Sequence, residues 1–103
     1  MFDFIKKLFG GSTVNYSELI ENGAVIVDVR TPQEYRSGKL RGSLNIPLDQ
    51  LKGNLKKIKK DKPVIVCCAS GMRSGAAKGV LQSNGFTQVY NAGSWHKLTK
   101  YVN

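Results

Sequence analysis

The stretch VIVCCASGMRS, at residues 64–74, is predicted to run from a buried strand into the first turn of a helix. Its first four residues, VIVC, are continuously apolar and mostly β-branched, as expected for a strand that is covered on both faces. The small residues Ala69 and Gly71 then let successive backbone N–H groups curl inward, which predicts an anion-binding nest at a helix N-terminus. Open α/β sheets bind ligands at the carboxyl ends of their strands. The stretch therefore predicts a reactive loop at the end of a central strand.

The chain around this stretch alternates between short β-type runs and helix-type segments, which predicts an α/β fold. A second continuously apolar run, at residues 24–28, is expected to be the other central strand. Shorter strands are predicted near residues 44–46 and 89–90. One helix is predicted to start at Thr31-Pro32, where Thr31 is the cap and Glu34 lies three residues after it. Other helices are predicted over 48–58, over 74–84 and near Trp95, where apolar residues recur at spacings of three and four.

The composition is that of one globular domain, with 103 residues of which 41% are hydrophobic and 22% charged. We expect residues 13–103 to form this domain, and residues 1–12 to be an extension made of a short amphipathic segment and a Gly-Gly-Ser hinge. In the extension apolar residues precede basic ones, which is the reverse of a secretory signal. The missing export signal and the two unpaired thiols predict a location in the reducing cytoplasm. We also expect the protein to be a monomer.

The cysteines and the charge exclude several classes of protein. Cys67 and Cys68 are adjacent, a spacing that does not make an ordinary loop-closing disulfide, and His96 is the single histidine, so we expect no metal site and no cofactor. No apolar run reaches the length of about 18 residues that a membrane-spanning helix needs. The net charge of +9 includes six lysines between residues 52 and 62. No aromatic residue lies between them, so we expect a solvated helix face rather than a nucleic-acid or membrane surface.

Cys68 is the candidate nucleophile. A helix N-terminus and a nearby cation lower the pKa of a cysteine from its ordinary value of about 8.5, which favours the thiolate. Arg73 is predicted to supply that cation and N–H donors for an oxyanion. The other loop residues are assigned to substrate binding, and they are Ala69, Ser70, Gly71, Met72 and Ser74. The alternative is that Cys68 is only a small buried side chain at a strand end.

Four other residues are expected to have no direct part in the chemistry. By strand alternation Cys67 is expected to point away from Cys68 into the core. Asp28 and Arg30 are expected to hold loops together by hydrogen bonds rather than to contact substrate. His96 is expected to be a solvated side chain.

Three segments together resemble the rhodanese superfamily. They are VDVRTPQEY at 27–35, GKLRGSLNIP at 38–47 and the loop at 68–74, and the resemblance extends over nearly all of residues 13–101. Two positions of the second segment depart from the family pattern, since Lys39 stands where a histidine is usual and Ser43 where an alanine is usual.

The resemblance implies a five-stranded, mostly parallel sheet with helices on both faces, and transfer of a sulfane sulfur. In the implied reaction Cys68 takes sulfur from thiosulfate or a similar donor as a persulfide and passes it to cyanide or a thiol, while the backbone amides of residues 69–73 stabilise the anionic sulfur. Two alternatives stay open: a persulfide carrier or docking module that takes sulfur from a protein donor, and a phosphatase. The phosphatase is disfavoured because its signature has five residues between Cys and Arg, whereas this loop has four.

Overall fold

A parallel sheet with helices packed against it forms the protein, which is described by a computed structural model over residues 14–102. The four strands lie in the order β2-β1-β3-β4, and every pairing is parallel. The strands are β1 (Val25–Asp28), β2 (Leu44–Asn45), β3 (Val64–Cys68) and β4 (Val89–Ser94). The α-helices are α1 (Tyr16–Glu21), α2 (Pro32–Ser37), α3 (Leu48–Leu51), α4 (Met72–Ser83) and α5 (Thr99–Val102). Two 3₁₀ helices follow α3 and β4, at Lys52–Lys57 and Trp95–Leu98.

The two strands that were predicted to be central occupy the centre of the sheet. Every residue of β3 is buried, and alternate residues of that strand enter two different cores. Val64, Val66 and Cys68 pack in one core with residues of α3 and α4, such as Leu51 and Leu81. The side chains of Ile65 and Cys67 pack in the other core, with Ile26, Leu40 and Leu98. Burial on both faces explains why β1 and β3 are almost wholly apolar in sequence.

The sheet has fewer strands than expected in the part of the chain that the structure describes. Five strands are predicted and four are present within residues 14–102. The α/β architecture and the parallel pairing are confirmed. Residues 1–13, which contain the predicted extension and its hinge, lie outside the described range.

The predicted helix over residues 48–58 is broken. Its first turn is α3, and a 3₁₀ helix continues it from Lys52 to Lys57, with Asn54 at non-helical angles (φ −126°, ψ 22°). Gly53 and Asn54 both have low helix propensity, and the Asn54 side chain donates a hydrogen bond to the carbonyl of Gln50 (2.7 Å), in competition with the regular helix. The spacing of the leucines is compatible with a continuous helix and with the broken one, so it does not predict the break.

The helix ends that flank the site follow local signals in the sequence. At the start of α2, Thr31 and Glu34 form a reciprocal capping box, with Pro32 in the first turn. At the end of α4 the chain turns at Gly85, whose φ of 91° lies in the left-handed region. No helix within residues 14–102 is long and apolar enough to cross a membrane.

Candidate active site

Cys68 lies at the carboxyl end of β3, directly before the loop that leads into α4. It is fully buried, and its Sγ accepts hydrogen bonds from the backbone N–H groups of Gly71 (2.9 Å) and Ser74 (3.4 Å). The Oγ atom of Ser74 lies 3.4 Å from the same sulfur and donates to the carbonyl of Gly71 (3.1 Å). The loop thus wraps its donors around one sulfur atom, as the sequence predicts.

The curl of the loop depends on Gly71. Its φ of 109° is in the left-handed region, where an L side chain is strained. A Cβ at this position would also lie 3.5 Å from the Cα of Gly93, in the neighbouring strand β4. Gly71 therefore allows the turn that aims its own N–H at the sulfur, and it caps the 12-residue helix α4.

Hydrogen bonding makes Cys68 more acidic than an ordinary thiol. Burial on its own raises the pKa of Cys68, but the hydrogen bond shared with the Ser74 side chain and those from the backbone N–H groups of Ser74, Gly71 and Ser70 outweigh it, so the pKa is lowered. Donors that point at the sulfur stabilise the thiolate more than the thiol. The arrangement favours the nucleophilic form of the residue.

Arg73 is held by a residue that the sequence had assigned only to a helix cap. Its Nη1 and Nη2 atoms donate to the two carboxylate oxygens of Glu34 at 2.7 and 2.9 Å. The same carboxylate accepts from the N–H and the hydroxyl of Thr31 (2.9 and 3.1 Å). These bonds, led by those from Arg73, lower the pKa of Glu34 to about 2. Glu34 was missed as a site residue because its partner lies 39 positions away in the chain.

The remaining loop residues divide between surface and interior. Ala69 and Ser70 are exposed, and Met72 is 84% exposed at the tip. Ser74 is fully buried beneath the loop. Among the predicted substrate-binding residues, Gly71 and Ser74 donate backbone hydrogen bonds to the sulfur, and the N–H of Ser70 also helps to lower its pKa.

Asp28 and Arg30 hold the loops together, as predicted. Both are buried, and the guanidinium binds the carboxylate through Nη2 (2.7 Å) and Nε (2.9 Å). Arg30 Nη2 also donates to the carbonyl of Gly38 (2.7 Å), and its guanidinium lies 4.6 Å from the centre of the Trp95 ring. The pair joins the end of β1 to the segment after α2.

The other two interpretations also agree with the structure. Cys67 faces the core opposite to Cys68, where burial, with a smaller effect of Asp28, raises the pKa of its thiol. The imidazole of His96 is exposed and stacks on Trp95, with ring centres 4.1 Å apart. No group of three metal-ligating side chains occurs within residues 14–102.

Comparisons with known proteins agree with this fold and loop. The family model of the rhodanese-like domain matches residues 12–100. The YqhL protein of Bacillus subtilis is 46% identical over 68 residues, which are 66% of this chain and 54% of that protein. The thiosulfate sulfurtransferase PspE of Escherichia coli is 41% identical over 69 residues, which are 65% of this chain and 66% of that protein. The matches thus span between about half and two thirds of these relatives.

A solved rhodanese structure also has a similar fold. The structure described as a rhodanese with anions from E. coli superposes with a TM-score of 0.68 and 36% identity, covering 72% of this chain and 89% of that one. The family match covers most of the chain, including the loop that carries Cys68. The chain belongs to the rhodanese-like domain family.

Proposed function

We propose that this protein is a sulfurtransferase that moves a sulfane sulfur from thiosulfate, or a similar donor, to a thiophilic acceptor through a persulfide on Cys68. The observation that carries the proposal is the ring of donors around the Cys68 sulfur, from Gly71 at 2.9 Å and Ser74 at 3.4 Å. A relative that shares 41% identity is named a thiosulfate sulfurtransferase, which supports the same reaction here.

In the first step the Cys68 thiolate attacks the outer sulfur of thiosulfate. A new S–S bond forms to Cys68, the S–S bond of thiosulfate breaks, and sulfite leaves with its electron pair. The lowered pKa of Cys68 supplies the thiolate. The N–H groups of the loop stabilise the negative charge on sulfur while it is transferred.

In the second step an acceptor takes the outer sulfur of the persulfide. Cyanide or a thiolate forms a bond to that sulfur, the Cys68 S–S bond breaks, and Cys68 leaves as a thiolate that the same N–H groups stabilise. No external oxidant or reductant enters, because each step moves a neutral sulfur atom: the attacking nucleophile supplies the electron pair of the new bond, and the leaving group departs with the pair of the broken bond.

The test is turnover of thiosulfate and cyanide by the purified protein, read as release of sulfite and thiocyanate. Intact mass after incubation with thiosulfate should show one added sulfur atom on the wild type and none on Cys68→Ser. The matched control is Cys67→Ala, which removes the neighbouring thiol from the opposite core and should still load. Turnover that survives in Cys68→Ser would overturn the proposal.

Two other results would favour a different function. Loading only from a protein persulfide, with thiosulfate ignored, would favour the carrier function. Hydrolysis of an aryl phosphate that depends on Cys68 would favour a phosphatase. The reaction needs Cys68 as a free thiolate at the start of each cycle, so we place it in a reducing compartment such as the cytoplasm.

A further inference from the structure

A cavity of about 380 Å³ opens beside the Cys68 loop. It is lined by Val29, Thr31, Pro47, Leu48, Asp49 and Arg73. Arg73 belongs to the loop itself, and Val29 packs in the same core cluster as Cys68. The cavity therefore borders the loop that holds Cys68.

The size and the floor of this cavity fit an organic molecule better than thiosulfate. Its volume falls in the range of about 300–1,000 Å³ that is usual for small-molecule sites. Val29, Pro47 and Leu48 give it an apolar floor, which offers a small dianion such as thiosulfate no hydrogen bond and no opposite charge. The substrate that needs such a floor is the second one, an acceptor thiol with an aliphatic body.

The charged residues around the cavity indicate which charge the acceptor should carry. Arg73 is neutralised by its two hydrogen bonds to Glu34. The ion pairs within residues 14–102 are Asp28–Arg30 and Glu34–Arg73, so Asp49 has no ionic partner there. Asp49 thus adds an unpaired negative charge to the cavity wall. Lys52 follows Asp49 by three residues but forms no ion pair with it. Charges farther away than about 8–10 Å are screened at ordinary ionic strength.

We propose that this cavity binds the sulfur acceptor, that the acceptor is a short aliphatic thiol with a cationic amine, and that Asp49 selects it by pairing with the amine. The inference rests on the proposed function, since it assigns the acceptor of that reaction. The thiolate of the acceptor forms a bond to the outer sulfur of the Cys68 persulfide, the Cys68 S–S bond breaks, and Cys68 regains its thiolate while the acceptor leaves as a persulfide.

The test uses protein preloaded with thiosulfate and freed of excess donor. Three thiols that differ mainly in their terminal group are then compared by the rate at which the added sulfur is lost from Cys68 in intact mass: cysteamine (cationic), 2-mercaptoethanol (neutral) and 3-mercaptopropionate (anionic). In Asp49→Asn the ratio of the cysteamine rate to the mercaptoethanol rate should fall about 1.4- to fivefold, the range found for exposed ion pairs. Comparing ratios between variants cancels the different intrinsic reactivities of the thiols.

Two further variants complete the design. Asp49→Lys should reverse the preference and raise the mercaptopropionate rate above its wild-type value. Asp61→Asn makes the same change of charge at an exposed position outside the cavity lining and should leave all three rates unchanged. Equal ratios in wild type, Asp49→Asn and Asp49→Lys would overturn the inference. If wild-type Cys68 does not load at all, it is the proposed function that fails, and the two outcomes are distinct.

Discussion

Replacing Glu34 by glutamine tests how the reactive loop is anchored to the rest of the fold. The wild-type carboxylate joins α2 to the loop, because it closes the cap with Thr31 and binds both terminal nitrogens of Arg73. The amide of Glu34→Gln keeps one oxygen that can accept from the N–H of Thr31. It loses the charge and the two-oxygen grip on Arg73.

The structure sets the size of the expected loss. A pKa lowered from 4.5 to about 2 corresponds to about 3 kcal/mol if nothing screens the interaction. The side chains of Arg73 and Glu34 are 34% and 37% exposed, however, and pairs open to solvent contribute about 0.2–1 kcal/mol. With a few tenths more for the weakened cap, we expect Glu34→Gln to lower the free energy of unfolding by about 1 kcal/mol at pH 7.

The assay is urea denaturation of both proteins between pH 7 and pH 2. Because the pKa of Glu34 is lower in the folded state, its contribution is complete above about pH 4.5 and disappears as the pH falls toward 2. The two proteins should therefore differ at pH 7 and converge at pH 2. Glu21→Gln, at an exposed position in α1, is the control and should change stability by less than about 0.5 kcal/mol. A difference between wild type and Glu34→Gln that is the same at every pH would refute the reasoning.

Three further changes probe the sulfur site and its support. Ser74→Ala removes a side chain that lowers the pKa of Cys68, so the midpoint of kcat/KM against pH, measured with thiosulfate, should move upward; an unmoved midpoint would contradict the assignment. Gly71→Ala places a Cβ on a residue with φ of 109° and should lower the free energy of unfolding by about 1–2 kcal/mol and slow persulfide loading, whereas wild-type loading would show that the curl is not needed. Arg30→Met leaves the buried Asp28 without its partner, which should cost about 3–5 kcal/mol in urea denaturation; a loss under about 1 kcal/mol would mean that the pair is dispensable.

Local signals in the sequence predicted the elements around the site. Residues 64–67 are predicted to be a central strand because burial on both faces requires an uninterrupted apolar run, and in the structure the strand extends to Cys68. Thr31, Pro32 and Glu34 identified the start of α2 because a capping box spans only four residues. The loop after β3 followed from small residues between a strand and a helix. Each of these features is decided within a few positions of the chain.

The features that the sequence did not reveal depend on competing hydrogen bonds or on contacts between residues far apart in the chain. The break at Asn54 arises because a side-chain hydrogen bond to Gln50 competes with the helix, while the leucine spacing suits both outcomes. The pairing of Arg73 with Glu34 joins residues 39 positions apart, and no local pattern encodes it. Asp49 reaches the wall of the cavity because β2 and α3 bring its segment past the end of β1, which again depends on tertiary structure.

The register of β3 places the thiols of Cys67 and Cys68 in different surroundings: one lies in the core and the other lies at the reactive loop. Successive side chains of a strand point to opposite faces, so one thiol is raised in pKa by burial while its neighbour meets the N–H groups of the loop. A slip of one residue would turn the Cys68 side chain to the opposite face, away from the N–H groups of the loop. The register is fixed by the parallel pairing of Asp28 with Cys67 and by the hydrogen bond from the N–H of Val29 to the carbonyl of Cys67 (3.0 Å). The pairing of β1 with β3 therefore determines which cysteine is presented to substrate, so residues that contact no substrate help to define the site.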